Sequence, residues 1–262
     1  MKIGFIGLGN MASAIMQGII SNGVVSASDV YGYDVSDAAK EKAKENQINI
    51  LGSNLDVASN SDVLILAVKP QFLADAVKEL NGKISSNTIV ISIVAGRTIE
   101  ALEELLGEVK IVRTMPNTPA LIREAAIGYS FNGLIAEEDK EVVKKILSSF
   151  GKAIEVPERL MDAVVGVSGS APAYVFMFIE AMADGAVAEG MPRALAYEFA
   201  AQAVMGSAKL MLETGKHPGE LKDMVCSPAG TTIAAVRSLE ESGFRGSVMD
   251  AVIEASEVSK EL

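Results

Sequence analysis

"KIGFIGLGNMASAIMQGIISNG", residues 2–23, carries the pattern from which the architecture of the chain follows. A short apolar run, KIGFI (2–6), leads directly into Gly7-x-Gly9-x-x-Ala12, and then into an apolar-periodic stretch closed by Asn22-Gly23. This order reads as a buried strand, a glycine turn and a helix. Gly7 allows the tight turn, Gly9 lets backbone approach a pyrophosphate, and the small Ala12 lets the helix sit close to a sheet. A pyrophosphate would meet the free N–H groups and the positive end of that helix. A carboxylate, Asp34, closes the next strand, VYGYD (30–34), about twenty residues further on, where ribose hydroxyls are expected. Together these features predict a dinucleotide site, which a plain glycine turn would not need.

Outward from this stretch, apolar strands alternate with helical patterns. The strands are DVLILAV (62–68), TIVISIV (88–94) and KIVRTM (110–115); the helices are SDAAKEKAKEN, PQFLADAVKEL and TIEALEELLG. Such alternation predicts a doubly wound parallel sheet of the Rossmann type, covered on both faces. AIGYSF, the helix EEDKEVVKKILSSFG and KAIEVP complete this domain, assigned to residues 1–157. Residues 158–262 show no strand pattern and form a helical domain. From 160 to 188 the only charged residues are Asp162, Glu180 and Asp184, so the helix is apolar around most of its circumference and must be buried. About a hundred residues have too little interior to hide it, which predicts subunit association as a homodimer or a larger homo-oligomer built from dimers.

Composition narrows the partners. The 262 residues are 49% apolar with mean hydropathy +0.30, which excludes a disordered chain. A formal charge of −11 opposes attraction to nucleic acid or an anionic membrane. One cysteine, Cys226, excludes an internal disulfide framework and fits a reducing cytoplasm. No unbroken apolar run approaches the roughly 18 residues of a membrane span, and the glycine-broken start does not read as a signal peptide. The expectation is a soluble, cytoplasmic protein that takes a small molecule.

His217 is the one histidine, so a Ser-His-Asp or Cys-His machine lacks parts, and no residue cluster has metal-ligand spacing. The cofactor must carry the chemistry, and hydride transfer meets that requirement. Other loops follow strand ends, where ligands lie in parallel sheets. AVKP (67–70) carries Lys69, either a ribose or phosphate contact or a solvated lysine before a proline-started helix. RTMPNTPA (113–120) holds Asn117 between two prolines, either a ligand wall or a strand stop. GVSGSAPAY (166–174) interrupts the apolar helix at Pro172, either exposing backbone amides or making a packing notch. SPAGTT (227–232) puts Gly230, Thr231 and Thr232 at a helix N-terminus. With the hydroxyl of Ser227 it reads as a carboxylate cradle, or as plain N-capping by Thr231 or Thr232.

IGLGNMA, AVKP, MPNTP, SGSAPAY and SPAGTT…LEESGFR, in that order and spacing, resemble the pyrroline-5-carboxylate reductase family over essentially the whole chain. The resemblance implies reduction of L-1-pyrroline-5-carboxylate to L-proline, the last step of proline synthesis, by NADPH or NADH. It also implies an interlocked dimer through the helical domain. Carried over, Ile6, Gly7, Leu8, Gly9, Asn10, Met11, Asn54, Ala67, Val68, Lys69, Pro70 and Ala95 line the cofactor, joined by Asp34 from the strand reading. Ser227, Gly230, Thr231 and Thr232 hold the substrate carboxylate and ring nitrogen, with Thr232 the catalytic candidate, and Glu158 lies at the substrate's edge. Two positions depart from the family pattern. Ala229 replaces a glycine, so no glycine-only backbone angle is expected there. Asp34 would repel a 2′-phosphate, leaving the cofactor choice open. The beta-hydroxyacid dehydrogenases share GLGNM but depend on a lysine in the second domain's long helix, and residues 160–192 contain none. A non-catalytic nucleotide sensor would leave SPAGTT unexplained.

Overall fold

The computed structural model of the protein describes residues 1–261. Its first elements alternate: β1 (Ile3–Ile6), α1 (Asn10–Ser21), β2 (Val30–Tyr33), α2 (Asp37–Lys44), β3 (Asn49–Ile50), α3 (Asn54–Ser59), β4 (Val63–Leu66), α4 (Leu73–Val77), β5 (Ile89–Ser92), α5 (Ile99–Leu106) and β6 (Lys110–Met115). There follow β7 (Ala125–Phe131), α6 (Glu137–Leu147) and β8 (Gly151–Glu155). The sheet runs β3-β2-β1-β4-β5-β6-β7-β8, so its first six strands have the doubly wound Rossmann order. β7 departs from the expected parallel arrangement by running antiparallel to β6, with Thr114 opposite Tyr129. The link between them holds only the 3-10 turn Thr118–Ile122, too short for the helical crossover a parallel neighbour requires. β8 pairs parallel to β7.

Alternating side chains of the central strands feed two cores. Phe5, Ile65, Ile91 and Val112 face Ile15, Met16 and Ile19 of α1 and Val143 and Ile146 of α6. Leu64, Leu66, Val90 and Ile111 face Leu73 and Val77 of α4 and Leu102 and Leu106 of α5. Gly18 lets α1 lie against Phe150, whose Cβ would stand 2.7 Å from a methyl added there. Starts of helices are set locally: Ser36 Oγ accepts the Ala39 N–H at α2, and Thr98 Oγ1 accepts the Ala101 N–H at α5.

Beyond β8 the described residues are helical: α7 (Met161–Val164), α8 (Ala171–Ala188), α9 (Arg193–Thr214), α10 (Pro218–Val225), α11 (Thr231–Glu241) and α12 (Phe244–Lys260). The chain forms two compact units, Met1–Ser170 with the C-terminal segment from Glu254, and Ala171–Ile253. Residues 158–170 pack with the sheet: Val164 fills the space beside Gly128, and Arg113 on β6 pairs with Glu158 at 3.1 Å. Between α7 and α8, Val165–Gly169 is a π turn in which the Ser170 N–H donates to Val165 O at 2.8 Å. The expected interruption is present: Ser170 is a bend, and α8 starts at Ala171 with Pro172 in its first turn.

In the second unit α8 and α9 share a small seam that buries Ala183, Ala196 and Ala200. Tyr174 Oη donates to Ala251 O, and Phe178 lies 5.9 Å from Phe244, tying α8 to α12. Most other apolar side chains face outward, including Phe176 (64% exposed), Met177 (68%), Phe199 (61%) and Leu212 (71%). The run Glu158–Ala188 includes an eighteen-residue window of mean hydropathy 1.4, long and apolar enough by length and composition to cross a membrane. The window is not an unbroken apolar run, because Ser168, Gly169, Ser170 and Pro172 interrupt the uncharged stretch between Asp162 and Glu180.

Candidate functional site

Gly7 leaves β1 at φ +92°, a left-handed angle, and a methyl there would stand 2.7 Å from Ala67 O. Both facts require glycine. Around Gly9, by contrast, nothing lies within 4 Å of an added Cβ, so the turn opens outward. Gly9 is the N-cap of α1; no side chain caps that helix, and no acid stands in its first turn. Gly7 and Gly9 line a cleft of about 490 Å³, and the first N–H groups of α1 start beside it without intrahelical partners. A glycine cradle and an uncapped helix start fit the pyrophosphate of a dinucleotide.

The cleft brings together most of the residues expected from sequence: Ile6, Gly7, Gly9, Asp34, Asn54, Ala67, Val68 and Lys69. It adds Tyr33, Val35, Phe72, Asp75 and Ala76, which the sequence reading missed. Val35 is 86% and Phe72 is 56% exposed. Their exposure belongs to the fold; the sequence signal for Val35 and Phe72 was their place after strand ends, where ligands lie in parallel sheets. Asn54 opens α3, and its Nδ2 donates to Ala76 O at 2.8 Å, bridging two parts of the cleft wall.

The other expected cofactor residues sit around the cleft, outside its lining. The Leu8 side chain is buried against Gly32, while its N–H donates to Asp34 Oδ2 at 2.7 Å. Asn10 starts α1 and accepts from Lys42 Nζ at 3.5 Å. Met11 packs on the α1 core, Pro70 opens the 3-10 turn after β4, and Ala95 is half-buried after β5. Asp34 is tied twice, since its Oδ1 also accepts the Ser36 N–H at 2.8 Å. Beside it, the hydrogen bond from Lys40 holds the Asp37 carboxyl below the usual range, and the same bond raises the Lys40 ammonium.

Glu158 lies elsewhere. Its Oε1 accepts from Arg113 at 3.1 Å and from the Ile99 N–H at the start of α5 at 2.7 Å. Asp162 stands 3.9 Å from the same guanidinium and accepts from Ser259 Oγ. The buried Arg113 is thereby matched by two carboxylates. Asn117 has a comparable bridging role: its Oδ1 accepts the Ala126 N–H and its Nδ2 donates to Ser168 O, each at 3.0 Å. Pro172 lacks the N–H that would reach Ser168 O in an α-helix, and the Asn117 amide supplies a donor.

In the second unit SPAGTT forms a tight turn followed by α11. Gly230 N–H donates to Ser227 O at 3.1 Å, with Pro228 and Ala229 between them. Ala229 has φ +57°. Positive φ at the third position, after proline, is the type II pattern that usually takes glycine. The expectation that alanine excludes a left-handed angle here is therefore wrong: the turn imposes the angle on alanine. Gly230 is the N-cap of α11, with no side-chain cap and no acid in the first turn, so neither threonine caps the helix. An added Cβ on Gly230 would collide with Ser227 Oγ. The Gly230 amide is spent on the turn, which leaves the N–H groups of Thr231, Thr232 and Ile233 as the helix's unpaired donors. The turn presents these amides with the Ser227, Thr231 and Thr232 hydroxyls, a set suited to a small carboxylate.

A family model described as pyrroline-5-carboxylate reductase dimerisation matches residues 158–262, and one described as NADP oxidoreductase, coenzyme F420-dependent, matches residues 2–96. The chain is 50% identical to the pyrroline-5-carboxylate reductase of Escherichia coli, covering 100% of this chain and 98% of that protein. It is 51% identical to that of Methanosarcina acetivorans, covering 100% and 97%. The crystal structure of Plasmodium falciparum pyrroline carboxylate reductase with NADP bound matches at TM-score 0.90 and 35% identity, covering 99% of this chain and 97% of that one.

Proposed function

The chain belongs to the pyrroline-5-carboxylate reductase family, and on that premise we propose that it reduces L-1-pyrroline-5-carboxylate to L-proline with a reduced nicotinamide dinucleotide. The observation that carries this reading is the SPAGTT turn, an uncapped helix N-terminus ringed by hydroxyls in a chain of net charge −11. An anion is held there by local donors alone. When bound, the reduced nicotinamide supplies the hydride. The residues' own share is positioning. Ser227 and the amides of Thr231 and Thr232 orient the substrate carboxylate, while the Thr232 hydroxyl bonds the ring nitrogen. A protonated cyclic imine is already a good hydride acceptor, so no strong general acid is needed. Gly230 contributes the room that lets Ser227 Oγ approach.

On the cofactor side, Gly7, Gly9 and the α1 amides take the pyrophosphate, with Ile6, Asn54, Ala67, Val68 and Lys69 forming the walls. The family resemblance adds Leu8, Asn10, Met11, Pro70 and Ala95 to the cofactor's surroundings. Glu158 acts as a positioning residue through Arg113 and α5. Residues 158–262 serve as the substrate-binding and dimerisation domain. The exposed apolar faces of α8 and α9, with the family's dimerisation model over this region, support a homodimer or an assembly of dimers. The acidic charge supports a cytoplasmic protein that binds neither nucleic acid nor membrane.

The test is loss of reduced-nicotinamide absorbance on adding the imine acid, with proline identified as product. No proline from protein that binds the cofactor would sink the proposal.

A further inference from the structure

The reading of the cleft as a dinucleotide site leaves open which dinucleotide it takes, and the edge beside β2 bears on that choice. NADH and NADPH differ only at the adenosine ribose, by a 2′-hydroxyl or a 2′-phosphate. Among the cleft's lining residues the charges are Asp34 and Asp75 against Lys69. Asp34 is not free to swing away, because Leu8 N–H and Ser36 N–H hold its two oxygens at 2.7 and 2.8 Å. An ionised carboxylate has about four acceptor sites, and these bonds use two. Capacity therefore remains for hydroxyl donors, whereas a 2′-phosphate brings about −1.5 to −2 of charge toward the carboxylate at neutral pH.

The surroundings deny a phosphate its usual partners. The Ser36 N–H, at the N-cap of α2 beside the cleft, is already occupied by Asp34. Asp37 stands in the first turn of that helix, adding a second carboxylate where an anion would need positive potential. The nearby lysines are engaged as well. Lys40 Nζ pairs with Asp37 at 2.7 Å and lies 5.5 Å from the Tyr33 ring centroid, Lys42 Nζ donates to Asn10, and Lys44 pairs with Glu41. Val35, at the cleft rim, is apolar.

We propose that this chain prefers NADH to NADPH and that Asp34 is its specificity-determining residue, a fixed carboxylate that accepts the ribose hydroxyls and repels a 2′-phosphate. A solved relative holds NADP, so the preference rests on this chain's own β2 edge and not on family membership.

Dissociation constants of the two reduced cofactors, measured by calorimetry on the full-length protein, test this without turnover. NADH should bind about tenfold or more tightly than NADPH, the size expected for one added like-charge contact near a protein surface. Asp34→Ser should move the ratio of the two constants toward NADPH by about tenfold. Because that variant also cuts the bonds to Leu8 and Ser36, Val35→Arg provides a second test. It adds a cation while keeping both bonds, and should shift the ratio the same way. Only the ratio is read, so damage that weakens both cofactors alike does not imitate the effect. NADPH bound as tightly as NADH by the wild type, or a ratio unmoved by Val35→Arg, overturns the inference while leaving the dinucleotide site intact. Binding of neither cofactor overturns the site itself, and the inference with it.

Discussion

Replacing Ala229 by glycine should stabilise the protein, although it removes a methyl from the proposed substrate turn. Ala229 holds φ +57° between Pro228 and Gly230, and the Gly230 N–H to Ser227 O bond closes the turn around it. For an L-residue the left-handed conformation costs about 1–2 kcal/mol, which glycine does not incur. Glycine gives some of that back, since its freer unfolded chain costs about 0.5–1 kcal/mol. Ala229 is exposed, so little packing is lost. The balance is a gain of roughly 0.5–1 kcal/mol, about a two- to fivefold change in the folding equilibrium. Ala229→Val sets the other end of the series: a β-branched residue fits a left-handed angle worse than alanine and should lose about 1 kcal/mol or more. Urea midpoints followed by circular dichroism give the order Gly, Ala, Val. Protomer concentration must be matched, because association contributes to apparent stability. A glycine variant less stable than wild type, or a valine variant equal to it, would refute the strained-turn reasoning.

Thr232→Ala should lower kcat/KM for the imine acid about ten- to a hundredfold with little change in cofactor affinity, and Thr232→Ser should recover most of it. Equal turnover by all three proteins would remove the hydroxyl from the mechanism. Gly7→Ala forces a methyl to 2.7 Å from Ala67 O at a left-handed angle, so calorimetry should show cofactor affinity falling at least about tenfold. Unchanged affinity would contradict the cradle. Arg113→Met leaves Glu158 and Asp162 without their shared cation and should cost about 2–3 kcal/mol in urea unfolding, below the full penalty for a buried pair because Glu158 is partly exposed. Sedimentation at micromolar concentration should find dimers or multiples of them; an active monomer of 27.5 kDa would leave the apolar faces of α8 and α9 unexplained.

Much of the first unit was legible because its information is local. Four-residue apolar runs bounded by turn residues became β1, β4 and β5, and Gly7 took the place that only glycine fits. What escaped depends on contacts distant in sequence. β3 is only Asn49–Ile50 and exists because Tyr31 and Gly32 pair with it. The reversal of β7 follows from a short connection, which apolar patterning does not record. The break that Gly169 and Pro172 spell is there, but its form, a π turn at Val165–Gly169 whose Ser168 carbonyl is met by the Asn117 amide, depends on a residue more than fifty positions away. At Ala229 the residue type pointed the wrong way, because the turn's geometry overrode the preference of its side chain. Glu158 was matched from the family pattern, and its ties to Arg113 and Ile99 could not be read without the fold.

Isotope transfer shows whether this chain delivers a hydride from a nicotinamide to a cyclic imine acid. Reduced cofactor carrying deuterium at nicotinamide C4 in the transferred position should give proline with one deuterium, on the ring carbon beside nitrogen and away from the carboxylate. Proline formed without the label, or cofactor oxidised with no proline formed, would contradict the account.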